Sequence, residues 1–270
     1  MYLILPFNVL YCTYMIFCVM PVQVNGFISR ENKKKLTPVK NACFSPDIPI
    51  EMLKARAKEQ GGTLNDVLMT VLSLSFSQYL AEYTSDKITK QLWLSCPFSL
   101  RPPPKHVLDF TFDNEFAILP IKMQLVDNYQ SGFQIIKRDM NAVKKSMTPF
   151  GFLYVAKIVM AIPNQFFRNF MIGLSSNRMT FVFSNVPGPT KNYILSGNKT
   201  SCVGFFVPGL HSCAGGIAII SINDVVKIGL TMDKVVMKHP KILMDMITNN
   251  LDNALGKNWR NFKAGGPVPQ

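Results

Sequence analysis

The polar pair Asn65-Asp66 sets two side chains able to hold a reacting group at the mouth of an apolar stretch. It follows Gly61-Gly62-Thr63-Leu64 and opens a long apolar run. Two roles are open to it. Asp66 falls three residues after Thr63, the spacing of a helix-capping pair, and capping alone would account for the pair. In the other role Asn65 faces a substrate channel beside the helix end, where an amide can both donate and accept hydrogen bonds. A second pair, Ser184-Asn185, precedes Val186-Pro187-Gly188-Pro189. Side chains of these types at a strand end hold turns by hydrogen bonding. Proton transfer calls for a base such as histidine, and the three histidines stand singly. His106 lies in a proline-rich loop, His239 precedes Pro240 at a helix start, and His211 follows Pro208-Gly209 in a strand-rich region. Only His211 is a candidate for such a role, weighed against an ordinary surface histidine. Cys12, Cys18, Cys43, Cys96, Cys202 and Cys213 form no Cys-x-x-Cys pair, and no histidine stands at ligand spacing from them. That argues against a metal site and for mostly buried free thiols.

The element that must position Asn65-Asp66 is a helix from Thr63. Residues 67–80 are apolar on nearly every side, interrupted only by Thr70, Ser73, Ser75 and Ser77. Such a helix is buried in a core or in lipid; the capped start and the polar end, Gln78 and Glu82, favour a protein core. Before it, residues 41–49 read as an extended linker and residues 50–60 as a short charged helix with Met52, Leu53 and Ala57 on one side. After it, residues 91–100 read as a strand, with Pro97 marking its end or a bulge, and residues 115–123 as a strand apolar enough to be central. Residues 128–147 form an amphipathic helix with a stripe of Tyr129, Phe133, Ile136, Met140, Val143 and Met147. Residues 152–172 form an apolar helix interrupted at Pro163, suited to the core or to a bilayer surface.

The last third is strand-rich. Residues 179–183 are a strand leading to Ser184-Asn185, and Pro187-Gly188 occupies the centre of an expected type II turn. A strand is expected over residues 199–207. Residues 216–222 and 225–232 flank Asn223-Asp224, the signature of a tight hairpin. A helix over residues 241–255 starts after Pro240 and stops at Gly256, and the tail from 259 to 270 is expected to be loose. The class is therefore α/β or α+β, with one mixed sheet covered by helices.

The 270 residues suffice for one large domain or two small ones, and 48% hydrophobic residues allow a sizeable core. The formal charge of +13 admits nucleic acid, an anionic membrane or an acidic ligand. No zinc-finger spacing, RNA-binding aromatic strand or basic zipper helix occurs, which argues against nucleic acid. Residues 1–29 carry no charged side chain; residues 7–20 are apolar between Pro6 and Pro21, and Arg30 and Lys33-Lys34-Lys35 come next. Membrane association, an internal core segment and a signal peptide all remain open for this stretch. If it spans a membrane, the lysines place the remainder of the chain in the cytosol.

Four segments carry a family resemblance. Thr63-Leu64-Asn65-Asp66-Val67-Leu68-Met69, Pro97-Phe98-Ser99-Leu100-Arg101, Phe183-Ser184-Asn185-Val186-Pro187-Gly188-Pro189 and the hairpin ending Gly229-Leu230-Thr231-Met232-Asp233 resemble, in order, segments of the wax ester synthase/diacylglycerol acyltransferases. The resemblance covers residues 47–256 and is to the C-terminal domain. It implies a half-domain of the chloramphenicol acetyltransferase-like kind, with a mixed, mostly antiparallel sheet. It implies the C-terminal half of an acyl-CoA-dependent O-acyltransferase, with a long-chain alcohol or diacylglycerol as acceptor and no cofactor beyond acyl-CoA as co-substrate. Asn65, Asp66, Ser184, Asn185, Pro187 and Gly188 would then line the substrate tunnel. The general base would come from a His-His-x-x-x-Asp-Gly motif in the N-terminal half.

That motif does not occur in these 270 residues. Asp113-Asn114 also stands where the family has Gly-Asn, and Asp224 where glycine is usual in the hairpin. The expected organisation is an apolar segment and linker over residues 1–45, the acyltransferase-like domain over 46–258 and a tail over 259–270. A fragment, a split enzyme or a shortened paralogue is expected. A partner half-chain, a second copy or a membrane surface is then expected to cover the face that a half-domain leaves exposed. The expected location is the cytosolic face of a membrane, the endoplasmic reticulum or plasma membrane if eukaryotic. A non-catalytic lipid-binding or partner protein retaining the half-fold is the alternative.

Overall fold

A computed structural model of the chain describes residues 5–20, 25–28, 36–84, 89–98, 116–188, 194–195, 197–200, 202–209 and 212–262. A seven-stranded mixed sheet forms its centre. The strands are β1 (Lys40–Phe44), β2 (Ile48–Pro49), β3 (Gln91–Phe98), β4 (Ala117–Gln124), β5 (Phe181–Pro187), β8 (Gly215–Ile222) and β9 (Val225–Asp233). Their order is β1-β9-β8-β5-β3-β4, with β2 also on β9. β5 lies parallel to β3 and to β8. The other pairings in this sheet are antiparallel. A separate two-stranded ribbon joins β6 (Ile194–Leu195) and β7 (Asn198–Lys199).

Helix α2 (Ile50–Glu59) leads into the central helix α3 (Leu64–Tyr83), and α4 (Tyr129–Lys145) and α7 (Pro240–Leu255) pack beside it. The small polar residues of α3 explain how an otherwise apolar helix is held in register. Ser73 Oγ donates to the Gln124 carbonyl and accepts from the Val126 N–H. Ser77 donates to Asp127 across 2.6 Å. Ser75 accepts from Asn250 of α7 across 2.9 Å. A hydroxyl satisfied in this way removes the desolvation cost of burying it. The short segment 25–28 also enters this core. The Phe27 ring lies 5.0–5.5 Å from the rings of Phe181, Phe76 and Tyr79.

Helix α1 (Leu5–Tyr14) continues as a π-helical turn, Met15–Val19, and packs on α5 (Thr148–Met160), which is succeeded by α6 (Gln165–Ser176). Gly151 permits that contact, since a Cβ there would lie 2.5 Å from Cys12 Sγ. Cys12, Ile16 and Met20 are buried, while Phe7, Leu10, Tyr11 and Tyr14 are exposed. Among the described residues no helix is long and apolar enough to cross a membrane.

Several expectations change. Residues 41–49 are not a linker: Lys40–Phe44 pairs with β9 over five residues and Ile48–Pro49 with its start. Backbone pairing, invisible in composition, makes this polar stretch an edge. β4 is the opposite edge rather than a central strand. Its apolar Leu119, Ile121 and Met123 are buried under helices, and Pro120, lacking an N–H, suits an edge. Residues 202–209 do not form a strand; they cross the sheet on glycines. A Cβ on Gly216 would lie 2.4 Å from the Val207 carbonyl oxygen, and one on Gly229 would lie 2.5 Å from that of Phe205.

The tail is not loose where it is described. Lys257–Asn261 is a 3-10 helix whose Trp259 is fully buried and donates its indole N–H to Asp252 across 2.9 Å. Residues 263–270 lie outside the described residues. The cysteines are free, but Cys12 and Cys213 alone are buried; Cys18 is exposed and the other three are half-buried.

Candidate functional site

Helix α3 begins where the sequence places it. Gly61, with φ of 65°, ends α2, and Gly62 lets Phe133 of α4 pack over the turn, since its Cβ would lie 2.5 Å from Phe133 Cζ. Asp66 is buried and turned back on Thr63. Its Oδ2 accepts both the Thr63 N–H and the Thr63 hydroxyl, each across 2.8 Å. Its Oδ1 is buried with no hydrogen-bond partner among the described residues. A carboxylate in the first turn also suits the positive end of the helix dipole.

Asn65 points elsewhere. Its side-chain oxygen accepts a hydrogen bond from the Asn185 amide across 2.7 Å, linking positions 120 residues apart. Asn185 sits near the end of β5, on the same face as Phe181 and Phe183 by strand alternation, and both phenylalanines belong to the helix-side core. Ser184 therefore faces the other side with Val182, which packs in a second cluster with Met20, Trp93, Met179 and Cys213. Two residues adjacent in sequence are thus separated by the sheet. Asn65 and Asn185 come together; Ser184 does not join them.

The expected type II turn at Pro187-Gly188 is absent. β5 runs on through Pro187, in register with Ser221 of β8, and the Gly188 N–H donates to the Ser221 carbonyl across 2.7 Å. Gly188 is not in the left-handed region that a type II turn demands. Its missing side chain serves close approach instead, since a Cβ would lie 2.6 Å from that carbonyl oxygen. The parallel partner strand offers an acceptor for the Gly188 N–H.

His106 and His211 lie outside the described residues, as do Asp113-Asn114 and Ser99-Leu100-Arg101. His239 is exposed at the N-cap of α7. It comes after β9, whose last residues pair with the start of β8, whereas Asn185 lies toward the other end of the sheet. On β3, next to β5, burial pushes the Cys96 thiol up to about 11, so it stays protonated at neutral pH. An amide pair at a helix start has donor and acceptor capacity to orient a polar substrate atom, and supplies no proton acceptor of suitable strength. The helix-start signal made Asn65 legible; nothing along the chain pointed to Asn185 as its partner.

The family model of the WS/DGAT C-terminal domain matches residues 114–254. By sequence, the chain matches no curated protein significantly. Among solved structures, it is similar to the wax ester synthase/diacylglycerol acyltransferase from Marinobacter aquaeolei VT8, with a TM-score of 0.61 and 16% identity. That match covers 94% of this chain and 57% of the other. It is also similar to the epimerization domain from the third module of tyrocidine synthetase B, with a TM-score of 0.58 and 11% identity, covering 93% of this chain and 55% of that one. The cyclization-docking bidomain EpoB from Sorangium cellulosum gives a TM-score of 0.53 at 11% identity, covering 96% of this chain and 49% of that one. The chain thus spans about half the length of these structures.

Proposed function

Because the chain belongs to the WS/DGAT C-terminal domain family, an acyltransferase family, we propose that it forms the C-terminal half of an acyl-CoA-dependent O-acyltransferase. The donor is acyl-CoA and the acceptor a long-chain alcohol or a diacylglycerol. The acceptor hydroxyl attacks the thioester carbonyl, the new C–O bond forms as the C–S bond breaks, and the hydroxyl proton passes to a base while CoA leaves as its thiol. Thioester-to-ester exchange needs no redox or metal cofactor.

The observation that carries this reading is the hydrogen bond from Asn185 to Asn65, since it joins two of the four segments that resemble the family. In this reading the amide pair orients the reacting ester or hydroxyl oxygen at the start of α3, and Asp66 holds that helix end in place. Pro187 and Gly188 shape the end of β5 beside it. Ser184 borders the opposite face of the sheet. The base comes from an N-terminal half bearing His-His-x-x-x-Asp-Gly, supplied by a partner chain; a second copy of this chain, the other expected partner, lacks that motif.

The test is an assay of the 270-residue chain with palmitoyl-CoA and either hexadecanol or a diacylglycerol, alone and mixed with an N-terminal half carrying that motif. Thiol release and ester are both measured. Ester in the mixture, reduced about tenfold or more by Asn185→Ala, supports the reading. No ester in either arrangement supports the non-catalytic partner role instead.

A further inference from the structure

Helix α6 buries almost nothing. Of its twelve residues only Ser176 is buried, yet Phe166 is 82% exposed, and Phe167, Phe170 and Ile172 are also exposed. Beside it, α5 buries Gly151, Phe152 and Val155 and exposes Tyr154, Ile158 and Met160. α1, packed on α5, exposes Phe7, Leu10, Tyr11 and Tyr14 at helical spacing. A groove lined, among the described residues, by Pro6, Val9, Leu10, Tyr154 and Ile158 lies between α1 and α5. Monomeric proteins seldom leave so many large apolar side chains uncovered on adjoining helices.

The charge around this face is one-sided. Residues 1–30 contain no Asp or Glu, and neither do residues 140–223, which hold seven Lys or Arg. All 16 acidic residues of the chain lie elsewhere. Lys144 and Lys145 are exposed in the last turn of α4, which runs directly into α5. Lys157 on α5 lies 5.8 Å from the Tyr154 ring, and Arg168 sits on α6 among the exposed phenylalanines.

We propose that the α1–α5–α6 face docks on an anionic lipid surface, with its aromatic and aliphatic side chains in the interfacial layer and its lysines and arginine on the headgroups. Aromatic rings and basic residues on helices that, among the described residues, are too short to span are the composition that favours the interface. The charge also decides against a second copy as the occupant. A two-fold interface sets a patch against itself, and the sequences of α1, α5 and α6 offer basic side chains but no acidic ones to pair with them, whereas an anionic membrane attracts the basic ones. The inference is independent of the acyl acceptor and of catalysis.

The test is sedimentation of the full chain with phosphatidylcholine vesicles, with and without phosphatidylserine, beside light scattering in the absence of lipid. Binding should be about tenfold or more stronger with phosphatidylserine and should weaken as salt is added. Phe166→Ser combined with Phe167→Ser and Phe170→Ser should lower vesicle binding about tenfold or more while leaving circular dichroism unchanged, since these rings lie outside the core. Equal binding to both vesicle types, or binding that survives the triple substitution, overturns the proposal. So does a lipid-free dimer that the triple substitution dissolves in a chain that ignores vesicles, which would assign the face to a second copy.

Discussion

The Asn185 side-chain amide donates to the side-chain oxygen of Asn65 across 2.7 Å, tying the end of a central parallel strand to the first turn of the central helix. The bond spans two segments that the chain carries 120 residues apart, and both amides are half-buried. Asn185→Ala should therefore lower stability by about 1 kcal/mol, the worth of one such bond, read as a shift in the urea midpoint. Asn185→Asp should cost more, because a carboxylate cannot donate to the Asn65 oxygen and sets negative charge against it. Equal midpoints for all three proteins would show that the pair carries no structural weight.

Asp233 ends the terminal hairpin as a fully buried carboxylate. It accepts from the Lys40 ammonium across 2.6 Å, from the Thr37 N–H across 2.8 Å and from the Val235 N–H across 2.9 Å. Removing one partner of a buried pair strands the other, so Asp233→Ala should cost about 3–5 kcal/mol. Lys40→Met should cost less, since Lys40 retains some solvent access and the two backbone donors stay in place. Denaturant unfolding of both variants checks the order.

Trp259 is buried in the 3-10 helix after α7, with its indole N–H on Asp252. Trp259→Ala should lower stability by about 3–5 kcal/mol. Trp259→Phe keeps most of the ring volume and should cost less. A chain ended after Gly256 should lose comparable stability, which a thermal melt would read directly.

Stability should fall at both ends of the pH scale. Burial raises the thiols of Cys12, Cys43 and Cys96 from 9.0 to about 11, with Asp245 adding to the effect at Cys43. Between these values the unfolded chain gives up protons that the folded chain keeps, so stability declines as pH rises from about 9 toward about 11. At the acid end, hydrogen bonds from Arg260, and then from Trp259, hold the Asp252 carboxyl below its ordinary value of 3.8. That contribution is intact above the ordinary value and is lost as pH falls through the folded one. Replacing the three cysteines by alanine should flatten the alkaline limb, and Asp252→Asn the acid limb, in unfolding measured across pH.

Helix starts and stops are local chemistry, and they were legible. Thr63 with Asp66 marked the start of α3, Pro240 and Gly256 bounded α7, Pro163 broke the apolar run into α5 and α6, and Asn223-Asp224 made the hairpin, with Asn223 at φ 54°. The mixed sheet and its covering helices emerged from the alternation of such elements, and the family from four short segments. Periodicity could not say which strands pair. It read the apolar residues of β4 as central, because apolar residues are buried on an edge strand too when helices cover it. It missed β1 and β2, whose place in the sheet rests on backbone hydrogen bonds to β9, available to any side chain.

The candidate site divides along the same line. Its residue types were in the sequence, as was the capping relation between Thr63 and Asp66, which lie within one helical turn. What the tertiary structure decided was direction. Strand alternation sends Asn185 to the helix side and Ser184 to the opposite face, and only sheet order brings Asn185 beside Asn65. Gly188 likewise stays out of the left-handed region, with its N–H on a carbonyl of β8. The sequence by itself determined local conformation and burial, since caps, prolines and apolar spacing act over a few residues. Long-range hydrogen bonds depend on which strands become neighbours, and that order arises only when the whole core packs.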